Sequence, residues 1–146
     1  MGSLRAWNIR DLAVSLNAVP LDGGYGEDEV MALEWAEDQY TAFVGADGEV
    51  SRASTNNGLA TVSLTYAHTS PANDRLQGML LLDMATANGA AAGAFSARDL
   101  YGRMVVSSER AWIMGYPSVT LGKTIQTLQW KIQLADATVA TFIGGR

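Results

Sequence analysis

Most of this chain alternates apolar and polar residues with a period of two, and that pattern allows strands and excludes a helical bundle. Leu12, Val14 and Leu16 alternate with Ala13, Ser15 and Asn17; Met31, Leu33 and Trp35 alternate with Ala32, Glu34 and Ala36. Tyr40–Val44 and Glu49–Ser54 read as two more strands joined through Gly45-Ala46-Asp47-Gly48. Asp-Gly is a strong hairpin signal because such a turn needs positive φ. Asn57-Gly58 offers the same device before Leu59–His68, where Val62, Leu64 and Tyr66 alternate with Thr61, Ser63 and Thr65. Later strands are expected at Phe95–Arg98, Met104–Ile113 and Thr127–Leu134. In the last of these, Leu128, Trp130, Ile132 and Leu134 share one face, and Thr127, Gln129, Lys131 and Gln133 share the other.

One segment breaks the rhythm. Ser70 is a good N-cap and Pro71 suits the first helical position, where its missing N–H costs nothing. Asp74 favours the first turn, and Leu76, Met79, Leu80 and Met84 recur at helical spacing. The expected helix covers about 71–87, with Asn88-Gly89 as its stop and Ala90–Gly93 as a mobile loop. Strands with a single inserted helix make a mainly β, α+β or sandwich-like domain, and 146 residues suit one domain, 1–146.

Catalytic constellations fail on inspection. His68 is the only histidine, and neither Ser63 nor Ser70 sits on the strained elbow of a hydrolase. Zinc needs more nitrogen or sulfur ligands than one His and no Cys can offer. Gly23-Gly24-Tyr25-Gly26 is followed by Glu27-Asp28-Glu29, which repels phosphate instead of cradling it. Those acids lack the spaced ligands of a calcium loop. Glu34 and Glu37 lie three apart on a strand, on opposite faces, and do not form a glycosidase pair. Trp7, Trp35, Trp112 and Trp130 read as core or subunit contacts, without interleaved basic residues for base stacking. No cofactor, metal or catalytic residue is expected.

Charge points toward assembly. Only 17% of residues are charged, against roughly 25% in ordinary domains. Asp11 to Ser51 contains no Lys or Arg yet holds ten of the fifteen acids, whereas seven basic residues follow Ala53. The layout lacks the basic stripe of a nucleic-acid binder and suits head-to-tail association of unlike ends. The apolar run Gly78–Leu82 is too short for a bilayer, and no secretory leader is evident, so the expectation is assembly in a cytoplasm without membrane insertion.

The order of these pieces resembles the small tail tube proteins of contractile-tailed bacteriophages. The likeness rests on Ala6-Trp7-Asn8, Gly45–Val50, Thr69-Ser70-Pro71-Ala72-Asn73, Arg98-Asp99 with Gly102, Glu109–Ile113, a Pro-containing loop and Leu128-Gln129-Trp130. It implies two packed antiparallel β-sheets, sandwich- or barrel-like, with one flanking helix, as in type VI secretion tubes. It further implies hexameric rings stacked head to tail inside a sheath, each subunit giving four strands to one barrel. Sheath, baseplate and tail terminator proteins would be partners, and tape-measure protein and DNA would pass through the lumen. On that reading Glu34, Asp38 and Glu49 are candidates for an acidic lumen wall. Asp22, Gly23, Gly24, Tyr25, Glu27, Asp28 and Asp47 are candidates for inter-ring contacts, in a loop expected to be mobile in the free subunit. A DNA-free injection particle, a monomeric β-sandwich binding module and an enzyme are the alternatives.

Overall fold

The computed structural model describes residues 9, 12–26, 30–86, 92–99 and 104–141. Among the described residues, ten strands and one helix follow in the order β1 (Leu12–Leu16), β2 (Val19–Pro20), β3 (Met31–Trp35), β4 (Tyr40–Val44), β5 (Val50–Ser54), β6 (Ala60–Ala67), α1 (Pro71–Ala85), β7 (Gly93–Asp99), β8 (Met104–Ile113), β9 (Thr127–Ala135) and β10 (Thr138–Thr141). They form two antiparallel sheets: an eight-stranded one ordered β2-β1-β7-β8-β9-β6-β3, with β10 also on β8, and a two-stranded β4–β5 hairpin. The protein is therefore mainly β with one helix, and the main sheet does not close a barrel within one chain.

Packing comes from the main sheet folding over itself. Relative to β7, β8 carries a bulge: Phe95 faces Ser108, whereas Gly93 faces Ala111. Opposite it, Asp136 at φ 51° interrupts β9 and β10, which keep one register on β8 across the break. Both strands thus switch faces together, and Ser108 Oγ bridges the kink, donating to Ala135 O at 2.5 Å and accepting from Arg110 N at 3.2 Å. A bulge increases local twist and bends the strand. The apolar faces of the two halves then meet in one cluster, with Val14, Leu16, Phe95 and Val106 from one half and Leu64, Trp130, Ile132 and Leu134 from the other.

Helix α1 covers the open side of this cluster. Ser70 caps it, its Oγ accepting from Ala72 N at 3.2 Å, with Pro71 in the first turn as expected. Ala72, Leu76, Met79 and Leu80 are buried. Met84, expected in the same stripe, is 67% exposed. The helix ends at Ala85 against an expected end near 87, with Thr86 N and Oγ1 both on Leu82 O, and its last turn exposes Leu81 and Leu82 as well. The expected stop at Asn88-Gly89 lies outside the described residues. Trp130 is buried beside the helix, where its indole N–H donates to Asn73 Oδ1 at 3.0 Å, and Asn73 Nδ2 donates to Ala67 O at 2.9 Å.

The turns depart from expectation in instructive ways. Only Gly48 of the Asp47-Gly48 pair has positive φ, and Gly48 N donates to Gly45 O. This is a three-residue turn closed by a left-handed glycine. Asn57-Gly58 makes no hairpin, since β5 and β6 belong to different sheets and Asn57 Oδ1 instead accepts from Leu59 N. The tight two-residue turn is Asn17-Ala18, at φ 50° and 66°, joining β1 to β2. Strand β7 begins at Gly93, a residue expected in a loop.

Candidate functional site

Three surfaces of this fold could do work. The first is the outward face of the β3–β6–β9 half-sheet. Its alternation is regular: β6 buries every second residue, and Thr61, Ser63 and Thr65 point the other way. Cross-strand partners share a face. Thr61 pairs with Gln133 and Glu34, Ser63 with Lys131 and Ala32, and Thr65 with Gln129. Hydroxyls and amides dominate this surface, and Glu34 and Lys131 are the charges on its three strands. Of the acids expected on a lumen wall, Glu34 lies here. Asp38 lies in the link before β4, its backbone carbonyl accepting from Thr55 Oγ1 at 2.7 Å. Glu49 was expected on a strand and instead closes the hairpin turn, with its N–H on Asp47 Oδ1 at 3.0 Å and its carbonyl accepting from Gly45 N at 2.8 Å. The hairpin separates Asp38 from Glu49 by roughly 17 Å at the usual rise per residue, so the fold does not gather the three acids.

The second surface is the β4–β5 hairpin itself. Every residue of both strands is exposed, including Tyr40, Phe43, Val44 and Val50. Arg52 stacks over the Tyr40 ring, 4.3 Å from its centre. Asp47 and Glu49 place two carboxylates at the tip. Among the described residues nothing covers these apolar side chains on the two-stranded ribbon, and an isolated ribbon is marginally stable alone.

The third surface is the segment 114–126, which joins β8 to β9 without strand or helix. Its ends are tied down: Met114 N donates to Lys131 O, His68 N to Gln126 O, and Gln126 N to His68 Nδ1 at 3.0 Å. The single histidine is thus a loop anchor. Between these ties Val119, Leu121 and Ile125 are each more than 60% exposed. Val119, Leu121 and Ile125 carry no period, and a connection of this length without secondary structure of its own is usually a functional one.

The glycine loop is different from its expected form. The described part, Leu21–Gly26, is pinned along β6, with Ala67 N on Gly24 O, Gly26 N on Thr65 O and Ser70 Oγ on Gly23 O. A Cβ on Gly24 would run into Ser70 Oγ, and Gly24 sits at φ +67°. Tyr25 stacks on Tyr66 at 5.6 Å, and Tyr66 OH donates to Leu21 O at 2.6 Å. Burial, and then the Asp22 carboxylate, raise the Tyr25 phenol above its ordinary pKa. Asp22 Oδ1 accepts from Val14 N at 2.7 Å and satisfies the edge of β1. Asp22, Gly23, Gly24 and Tyr25 are thus tied to β1, β6 and the helix cap; Glu27 and Asp28 lie outside the described residues.

Comparison with known proteins settles what kind of molecule carries these surfaces. Residues 12–141 match the family described as Bacteriophage PhiTE tail tube protein. The chain belongs to that family. The family is one of phage tail tube proteins. A structural protein, ORF10, of Pseudomonas phage KPP10 is 27% identical over 79% of this chain and 66% of that protein, so the chain spans just under two thirds of that relative's length. Among solved structures, the chain is similar to the tube-terminating cap of the anti-feeding prophage at TM-score 0.64, with 9% identity over 97% of this chain and 95% of the other. The sheath–tube complex of an extracellular contractile injection system, PVC, gives TM-score 0.58 and 8% identity over 92% and 91%. The virion of a native gene transfer agent particle gives 0.55 and 11% over 94% and 99%. At these identities the likeness is one of fold.

Proposed function

We propose that this tail tube subunit forms hexameric rings, stacked head to tail, whose lumen is lined by the outward face of β3, β6 and β9. The observation that carries this reading is that face itself: a broad, charge-poor surface of Thr61, Ser63, Thr65, Gln129 and Gln133, backed by a continuous apolar core. A conduit for DNA works by not binding. Fixed cations on its wall would gain by displacing counterions from phosphate and would brake the strand, whereas hydroxyls and amides keep a hydrated surface. Glu34 adds repulsion, and Lys131 sits within the ladder as a lone cation. The tape-measure protein precedes the DNA through this lumen; sheath surrounds the tube, and terminator and baseplate close its ends. The role is non-enzymatic, in keeping with a His68 ring nitrogen engaged by the Gln126 backbone.

The native chain has no cysteine, which makes the wall easy to map. In assembled tubes, Ser63→Cys should react with a small maleimide entering from the ends and resist a bulky PEG-maleimide. Equal reaction with both, at the rate of the free subunit, would put this face outside.

A further inference from the structure

Three clefts among the described residues are alike in size and unlike in charge. One, of 420 Å³, lies over the kink and has Glu109, Arg110 and Asp136 in its lining. Another, of 460 Å³, lies between the hairpin base and β10 and carries Glu37 and Asp38 without a base. The last, of 420 Å³, runs between residues 114–118 and β9, and Lys131 is its one charge. Arg110 is neutralised by its ion pair with Asp136, whereas among the described residues Lys131 joins none. Two clefts are therefore acidic, and the third is cationic.

The third cleft exists because β8 ends before β9 does. The two strands run together from Arg110 opposite Ala135 to Ile113 opposite Ile132. Met114 N still donates to Lys131 O, and then Gly115-Tyr116-Pro117 carries the chain off the ladder, proline lacking the N–H to continue it. Alternation along β9 puts Thr127, Gln129 and Lys131 on its outward side. Tyr116 and Ser118 form the opposite bank of the groove. Hydroxyls, an amide and an ammonium can all donate hydrogen bonds, and no carboxylate lines the groove. Side chains of these types are the usual partners of phosphate oxygens, with Lys acting as a compact point charge.

We infer that the Lys131 groove is a seat for the phosphodiester backbone of DNA, one per subunit, on the wall of the conduit. This inference rests on the lumen reading above. One ammonium neutralises one phosphate, so a single seat is weak and lets go quickly. Repeated around each ring, the seats act together and put a graded drag on the moving strand. Glu34, two strands away on the same face, keeps its own part of the wall repulsive.

Backbone amide shifts of the free subunit, below the concentration at which tubes form, test the seat. A short DNA duplex at low salt should move Ser118, Gln129 and Lys131 whatever its sequence, with log K falling against log salt at a slope of about −0.9. Lys131→Gln should weaken this binding about tenfold and flatten the salt slope, while Lys131→Arg keeps both. Both variants should melt with the wild type, because the side chain is exposed. Equal duplex binding by wild type and Lys131→Gln would overturn the seat. Shifts with inorganic phosphate and none with the duplex would reduce it to an anion site and overturn DNA contact. Equal shifts with a glutamate-rich peptide would overturn the choice of phosphate over carboxylate. Assembled tubes separate the seat from the reading it rests on, since closed circular DNA cannot thread a lumen. Lys131-dependent sedimentation of circular DNA with tubes would put the groove outside, overturning the lumen reading and the drag while the phosphate seat stood.

Discussion

Strands β5 and β6 are neighbours in sequence and opposites in the fold. β6 has a partner on each edge and a layer facing it, so Ala60, Val62, Leu64 and Tyr66 are all fully buried. β5 has one partner and no facing layer, and all five of its residues are exposed. The difference begins in the residues: Val50 and Ala53 fall on opposite faces of β5, so that strand has no apolar face to bury. Burial of β6 makes the subunit stable, and exposure of β5 leaves surface for other copies. Substitutions should therefore divide into those that melt the subunit and those that only stop it assembling.

The largest effect belongs to the core. Trp130→Ala should cost about 3–5 kcal/mol in a denaturant titration, by lost burial and a cavity, and it also strands Asn73 Oδ1. Gly24→Ala comes next, since it forces a side chain into Ser70 at positive φ; a loss of about 1–3 kcal/mol is expected from strain of this kind. A melt unchanged by that substitution would show the loop to be loosely held after all. Ser70→Ala removes the helix cap and should cost about 1 kcal/mol. Smallest is Phe43→Ser on the hairpin, expected within about 0.5 kcal/mol of wild type in the monomer while sedimentation shows tube yield collapsing. If Phe43→Ser melted the monomer, the division between the two regions would fail.

Much of the core was readable before any coordinates. Leu64, Trp130, Ile132 and Leu134 announce themselves by strict alternation, and Ser70-Pro71 marks the helix start by the chemistry of its orphan N–H groups. Long-range facts were not readable. The kink at Ser108 and Asp136 exists only because β8 meets two strands in turn, and nothing local in Ser107–Arg110 signals it. Asn17-Ala18 escaped because Ala at positive φ is unusual, the conformation being held by Asn17 N on Ala94 O. Met84 was misplaced since periodicity says which face it shares and not how far the sheet beneath extends. Of the candidate site residues, Glu34 fell on the sheet face its strand pattern indicated. Asp22 and Tyr25 are tied to Val14 and Tyr66, contacts between segments that no spacing rule connects.

On the proposed reading, this subunit polymerises through surfaces that its described residues leave uncovered. Negative-stain microscopy of the purified chain across a concentration series tests that most directly. Hollow tubes with a regular axial repeat and end-on views of six-membered rings are expected, rising steeply with concentration. Monodisperse single subunits at every concentration, with neither rings nor tubes, would contradict it.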